Sequence, residues 1–216
     1  MRKKIFGYIR HAKRVIKFLI HFWNIIGNKR QCNVCEKTFR KFNPYKNGLK
    51  SLSCLSLELK MVGSDVVNFG CPHCGAHDRT RHIFLFFDKL NIWDQFRNAT
   101  ILHCSPEKQL VYKIKEIEYK EYIIGDLDVS RYTFIKDLKV IDLTHINFLD
   151  SYFDIIIANH VLEHIPDYER AMTEIYRVLK SGGFAILQTP YSSLLKHTFQ
   201  DDNINTDELR LTFYGE

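Results

Sequence analysis

Four cysteines in two Cys-x-x-Cys pairs are the residues of this chain most plainly spaced for chemistry. Cys32-Asn33-Val34-Cys35 and Cys71-Pro72-His73-Cys74-Gly75 each put two thiols at the ends of a tight turn. Two such knuckles can close a tetrahedron around one Zn(II) through Cys32, Cys35, Cys71 and Cys74. Four thiolates leave no open coordination position, so the expected zinc is structural. The second knuckle carries the glycine that supports the turn, and the first has Glu36 in that place. His73 and His77 flank the second knuckle and are alternative ligands. Cys54 and Cys104 belong to neither pair and read as ordinary thiols. Six cysteines with no secretory signal point to metal binding in a reducing cytosol rather than a disulfide framework.

A second set of polar residues follows apolar runs. Asn159 and His160 come directly after 153–158, an apolar stretch broken only by Asp154. His160, Glu163 and His164 satisfy His-x-x-Glu-His, a zinc-peptidase pattern that needs a continuous helix to align both histidines. Pro166 and the strand ending before His160 argue against such a helix. His160 reads instead as a candidate general base, because an imidazole titrates near neutral pH. His164 reads as structural. Asp126 and Asp128 follow the β-like run 119–125, where either can serve as a loop or helix cap, and Asp142 follows the run that begins at 139.

The elements that would position these groups are legible from periodicity. Residues 151–190 read as strand, helix, Gly-Gly turn, strand. The run 153–158 has the composition of a strand buried on both faces of a parallel sheet. Asp167 is placed to cap a helix with Ala171, Ile175, Val178 and Leu179 on its apolar face. Gly182 and Gly183 are expected to end that helix, and 184–189 to return as a strand. Residues 99–104 and 119–125 read as two further strands and 139–144 as a third strand with its following turn, with a helix over 107–116. Such strand-helix-strand units build a doubly wound sheet whose ligands sit at the carboxyl ends of the strands.

The segment 153–190, FDIIIANHVLEHIPD…AMTEIYRVLKSGGFAILQTP, resembles the second half of the class I S-adenosylmethionine-dependent methyltransferases (a methyltransferase type 11-like domain). The resemblance rests on the Phe-Asp strand start, the Leu-Glu-His-Ile segment and Leu-Lys-x-Gly-Gly before the next strand, and it covers roughly 99–190. It implies a Rossmann-like, mostly parallel α/β sheet and S-adenosylmethionine as cofactor. The family's acidic, glycine-rich turn D/E-x-G-x-G corresponds here to His103-Cys104-Ser105-Pro106-Glu107, so Ser105 and Glu107 replace both glycines and His103 the acid. A glutamate there is placed to pair with the cofactor's ammonium or sulfonium. By the same resemblance Asp126, then Asp128, is the acid for the ribose hydroxyls. Asp142, with Leu143, meets the adenine, and Asn159 lies beside the cofactor. The sixth and seventh strands of the family are expected to be missing, 209–214 being one weak candidate.

The chain of 216 residues has 45% hydrophobic and 26% charged residues, room for one medium domain and a small one. Nine of its 31 Lys and Arg lie in residues 1–30 without one acid, so the net charge of +6 belongs to that segment and the rest carries −3. Residues 5–26 have amphipathic periodicity with Arg10, Lys13, Arg14 and Lys17 on one face. They are too short and interrupted to span a bilayer. This segment is read either as a peripheral anchor on an anionic leaflet or as a helix packed on its own domain or a partner's, with a solvated basic face. The spacer between the knuckles is expected to carry its own hairpin, with 60–67 as one strand. A helix from Asp78 to about residue 90 is expected to bury Ile83, Phe86, Phe87 and Leu90. Its Arg79, Arg81 and His82 would be solvated or paired with acids. The organisation is therefore a basic amphipathic helix (1–30), a zinc-ribbon-like region (31–77), a connecting helix (78–98) and a methyltransferase domain (99–216). The expected activity is methyl transfer to a small molecule, such as a sugar or envelope precursor, in a cytoplasmic protein associated with the inner membrane face. The competing readings are a non-catalytic zinc-ribbon and Rossmann scaffold, or an RNA-directed methyltransferase, nucleic acid being the less favoured partner.

Overall fold

The computed structural model describes residues 19–52 and 54–199, together with 201, 203, 204, 206, 208 and 209. The larger part of the basic helix, 5–18, and most of the weak strand candidate 209–214 lie outside the described residues. The chain divides into two compact units. The first comprises Met1–Ser51 and Ser64–Leu85, the second Leu52–Gly63 and Phe86–Glu216.

In the first unit two short strands, β1 (Arg30–Gln31) and β2 (Thr38–Phe39), pair antiparallel across the first knuckle. Asn43 and Gly70 form a further antiparallel bridge toward the second knuckle. A small core of Cys32, Phe39, Cys71 and Ala76 holds this unit. It contains too little apolar surface for independent stability without a further constraint. The expected hairpin over 60–67 does not form. Leu52–Gly63 belongs instead to the second unit, where Val62 bridges Tyr191 with reciprocal amide bonds of 2.7 and 3.1 Å. Ser192 is buried there and donates to the Leu59 carbonyl. A periodicity argument could not see this, because the pairing partner lies about 130 residues away in sequence.

The second unit is a five-stranded sheet of β3 (Thr100–Cys104), β4 (Glu121–Asp126), β5 (Lys139–Val140), β6 (Phe153–Ala158) and β7 (Leu179–Ile186) in the order β5-β4-β3-β6-β7. Every pairing in it is parallel. This is the mostly parallel, Rossmann-like α/β sheet expected from the sequence. The strand order runs outward from β3 to β5, then restarts beside β3 with β6. Open α/β sheets with such a reversal bind ligands at the carboxyl ends of the flanking strands, here β3 and β6. Central strand β3 is buried at every position and β6 at all but Asp154, as a doubly covered parallel strand should be. Asp154 is not an error in that run: its carboxylate accepts from the Thr100 amide at 2.8 Å and Lys180 Nζ at 2.7 Å. One face packs Leu102, Ile123, Ile156, Ala171, Ile175 and Val178; the other packs Val111, Ile124 and Ile135.

Several expectations shift in detail. The helix capped by Asp167, whose side chain accepts from the Arg170 amide at 3.0 Å, runs Tyr168–Val178. It stops before the glycines. Leu179 already pairs with Phe153, and the register resumes at Phe184 opposite Ile155. Gly182 and Gly183 therefore sit in a bulge of β7 rather than in a helix cap. The third strand is Lys139–Val140, and the turn expected after it is closed by Asp142 on Thr144. In helix Asp78–Lys89 the buried stripe is Thr80, Ile83, Phe84 and Phe87, while Phe86 and Leu90 are exposed. Both readings fit a 3.6 period; the stripe is rotated by one residue.

The loop ahead of β6 is fixed by one buried acid. Glu174 accepts the Ile146 amide at 3.0 Å and two Arg177 nitrogens at 2.8 Å. Arg177 also reaches the carbonyls of Ile146 and Phe148 and the Asp150 carboxylate. The Arg177 hydrogen bonds, with that amide, pull the Glu174 carboxyl down to about 2. A depressed carboxyl stabilises the fold above its unfolded pKa of about 4.3 and loses that contribution as pH falls toward the folded value. Urea unfolding of the wild type is thus expected to weaken from about pH 5 down to about pH 2. Glu174→Gln should be less stable at neutral pH and flatten that slope; an unchanged acid slope in the variant would contradict this role.

Candidate metal centre and cofactor edge

The four knuckle cysteines converge. Their sulfurs all lie within 4.8 Å of one another, with Cys32–Cys74 and Cys35–Cys71 at 3.8 Å. A tetrahedron with metal–sulfur bonds of about 2.3 Å has edges of about 3.8 Å, so the set fits Zn(II). The amides of Val34 and His73 point at the sulfurs of Cys32 and Cys71 at 3.4 Å. Burial raises the Cys32 and Cys74 thiols. Cys71 feels the same burial, but amides of Cys74 and His73 outweigh it and hold that thiol low. Neither histidine joins the set. His73 Nε2 lies 3.3 Å from the Thr38 carbonyl, and His77 stacks on Phe69 at 4.2 Å. Among the described residues this is the single cluster of three or more metal-ligating side chains.

Arg81 is the residue of this unit that the sequence reading misplaced. It is buried rather than solvated. Its guanidinium donates to the carbonyls of Asn68, Phe69 and Ala76 at 2.6–3.0 Å and lies 3.9 Å above the Phe42 ring. Glu36 solves the missing glycine of the first knuckle by adopting φ +60°, close to the +74° of Gly75 in the second.

At the carboxyl ends of β3 and β6 in the second unit, a hydrogen-bond network centres on Glu107. Its carboxylate accepts from His103 Nε2 at 2.9 Å and from Asn159 Nδ2 at 3.2 Å. His103 is fully buried, and its Nδ1 lies 2.7 Å from the Tyr122 hydroxyl. Burial and the Glu107 charge raise the Tyr122 hydroxyl, so it stays a donor. His103 Nδ1 then accepts and Nε2–H donates, which fixes the tautomer. Burial disfavours an ionised Glu107, yet the hydrogen bond from His103 lowers its carboxyl. Asn159 completes the bridge by accepting the Gln188 amide at 3.2 Å.

The turn before Glu107 keeps the backbone that a glycine would supply. Ser105 has φ +51° and its amide donates to the Gly125 carbonyl at 3.0 Å. Its hydroxyl lies 3.1 Å from that of Tyr132, which donates to Asp126 at 2.6 Å. Asp126 also accepts the Asp128 amide at 2.9 Å. A carboxylate offers about four acceptor positions, so two remain for a diol. Asp128 caps the turn Val129–Arg131 through Ser130. Asp142 is exposed and its Oδ1 takes both the amide and the hydroxyl of Thr144 at 2.8 and 2.7 Å. Asp128 shows the capping geometry that the sequence left open for it, and Asp142 closes a turn of the same kind. Leu143 is buried in the core. Cys104 is a buried thiol pushed up to about 12 by its surroundings, next to Asp126.

His160 follows β6 with φ +55°. Its Nδ1 lies 3.1 Å from Glu163 Oε1, and its buried Nε2 has no hydrogen-bond partner. Gln188 Oε1, just beyond β7, is also buried without one. Such orphaned atoms at the ligand edge of a sheet are what an absent ligand leaves behind. The His-x-x-Glu-His pattern is broken as expected, since only the 3₁₀ turn Leu162–His164 follows. Tyr122, Tyr132, Glu163 and Gln188 escaped the sequence reading; only the His160-to-Glu163 spacing offered a signal.

Residues 100–187 match the family model described as "Methyltransferase domain". The chain is 30% identical over 110 residues to an arsenite methyltransferase of Aquipseudomonas alcaligenes, covering 50% of this chain and 28% of that protein. It is 41% identical over 59 residues to a demethylmenaquinone methyltransferase of Lactiplantibacillus plantarum, 26% of this chain and 25% of that one. It therefore spans well under half the length of these two curated relatives. A solved S-adenosylmethionine-dependent methyltransferase from Mesorhizobium loti is 14% identical with a TM-score of 0.38, covering 47% of this chain and 51% of that one. Residues 100–187 thus resemble a methyltransferase domain, and they lie on the Rossmann-like parallel sheet described above.

A left-handed non-glycine residue costs about 1 kcal/mol. Glu36→Gly is accordingly expected to stabilise the first unit by about 1 kcal/mol in thermal or urea unfolding. A destabilised variant would mean that Glu36 contributes more through its side chain than its backbone costs.

Proposed function

We propose that this chain transfers the methyl group of S-adenosylmethionine to a small-molecule acceptor, with a structural zinc in its ribbon unit. The observation that carries the reading is the Glu107 carboxylate, braced by His103 and Asn159 at the point where the sheet order reverses. When bound there, the cofactor supplies an electrophilic sulfonium methyl group. Glu107 would offer its charge to the cofactor's ammonium, Asp126 its spare lone pairs to the ribose hydroxyls, and Asp142 would face the adenine, with Leu143 packed in the core behind it. Ser105, Asp128 and Asn159 shape the rim. The methyl carbon would pass to an acceptor lone pair, the carbon–sulfur electrons staying on sulfur. The proton released by the acceptor goes to His160 Nε2, and the Glu163 carboxylate at Nδ1 stabilises the imidazolium. Positioning supplies most of the acceleration.

Calorimetry with S-adenosylmethionine and S-adenosylhomocysteine tests the cofactor site. Micromolar binding of both is expected, weakened about tenfold or more by Glu107→Gln, the loss of one charge-assisted contact. No binding to the wild type would leave the scaffold reading. His160→Ala should keep cofactor affinity and lower turnover about 10²–10⁴-fold with any acceptor found by screening; unchanged turnover would remove His160 from the chemistry.

Cys32, Cys35, Cys71 and Cys74 would hold the zinc. Elemental analysis is expected to give one zinc per chain, lost in a Cys71→Ser, Cys74→Ser variant, with chelation unfolding the ribbon. A metal-free yet folded wild-type ribbon would contradict it. We further propose peripheral contact with an anionic membrane through residues 5–26, on the cytoplasmic side. No helix among the described residues is long and apolar enough to cross a membrane.

A further inference from the structure

The described end of the basic helix faces the opposite way from a helix packed on its own domain. Residues 19–25 are helical, and the side turned to the ribbon is polar. Asn24 is buried, bonded to the Asn43 side chain at 2.9 Å, and its carbonyl accepts the amides of Arg40 and Lys41. His21 Nδ1 lies 3.3 Å from the same Asn43. The apolar stripe points outward: Leu19, Phe22, Trp23 and Ile26, spaced i, i+3, i+4 and i+7, are each more than half exposed.

Beside this stripe lies an open cleft of about 530 Å³ lined by Lys29, Arg30, Arg40, Lys41 and Asn68. The β1–β2 pairing creates it, since Arg30 stands opposite Phe39 and so brings residues 29–30 next to 40–41. Among the described residues none of the four cations makes an ion pair. Arg40 stacks 4.6 Å over the Trp23 ring, which joins the cationic cleft to the apolar stripe. The first acid in the chain is Glu36, so residues 1–35 carry cations only.

We infer that Lys29, Arg30, Arg40 and Lys41 form a phosphate cradle for an anionic lipid headgroup, seated while Leu19, Phe22, Trp23 and Ile26 enter the leaflet. This rests on the proposed membrane contact of residues 5–26 and adds to it a defined headgroup site on the ribbon unit. The pairing of a cationic cleft with an aliphatic and tryptophan stripe is the chemistry of a membrane interface. A nucleic-acid groove uses cations and stacking rings but gains nothing from exposed Leu19 and Ile26.

Co-sedimentation of the full chain with phosphatidylcholine vesicles, with and without phosphatidylglycerol, tests it. Binding to the anionic vesicles alone is expected, weakened by salt. At about 1 kcal/mol per cation, Arg40→Ala with Lys41→Ala should weaken it about 30-fold. Phe22→Ser with Trp23→Ser should abolish it, while both variants keep the thermal transition of the wild type. If the wild type binds anionic vesicles and Arg40→Ala/Lys41→Ala binds equally well, the cradle is wrong and the membrane contact stands. If the wild type binds no vesicle, both fall. If it prefers a single-stranded RNA and Phe22→Ser/Trp23→Ser leaves that binding intact, the surface addresses nucleic acid and the inference is overturned.

Discussion

A mostly buried carboxylate survives in a protein only when its partners replace the water it has lost. Glu107 has partners from three directions at the rim of the sheet: His103 from β3, Tyr122 of β4 through His103, and Asn159 from the end of β6. This arrangement ties the donor polarity of three strands to one anion. It explains why a histidine stands where an acid is expected at the end of β3. A strand-end acid there would face Glu107 and repel it, whereas imidazole donates to it. The charge has moved four residues along the chain, and the residue types around it have changed to suit.

The missing glycines follow the same logic. Glycine is used where the backbone must enter the left-handed region or approach something closely. Ser105 enters that region itself at φ +51°, and its hydroxyl is tied through Tyr132 to Asp126. The strain is thereby held by a network that also fixes the next acid along the rim. Glu36 repeats the device in the ribbon, taking the left-handed place of a knuckle glycine. There the structure is held by sulfur geometry and by Arg81, whose guanidinium gathers three carbonyls and stacks on Phe42.

Much of this was legible in the sequence, and what was not has identifiable causes. Strands β3 and β6 were found to within a residue because burial on both faces leaves a continuous apolar run. The Asp167 cap and its helix declared themselves by period. The four cysteines were readable from spacing alone, since a chelate dictates its own geometry. Residues 60–67 were misjudged because a bridge to Tyr191 is a long-range choice that no local pattern encodes. Arg81 was misjudged because a surface-like position on a helix carries no mark of the carbonyls that surround it. Asp142 illustrates a third limit: acid followed two residues later by threonine describes a ligand site and a closed turn equally well.

The central claim is that an adenosine-based cofactor lies across the carboxyl ends of β3 and β6 with its amino-acid end on Glu107. The most direct measurement is a crystal structure with S-adenosylhomocysteine bound. The account expects the ligand's ammonium within hydrogen-bond distance of the Glu107 carboxylate and its ribose hydroxyls on Asp126. Ligand density anywhere else on the sheet, with Glu107 bonded only to His103 and Asn159, would contradict it.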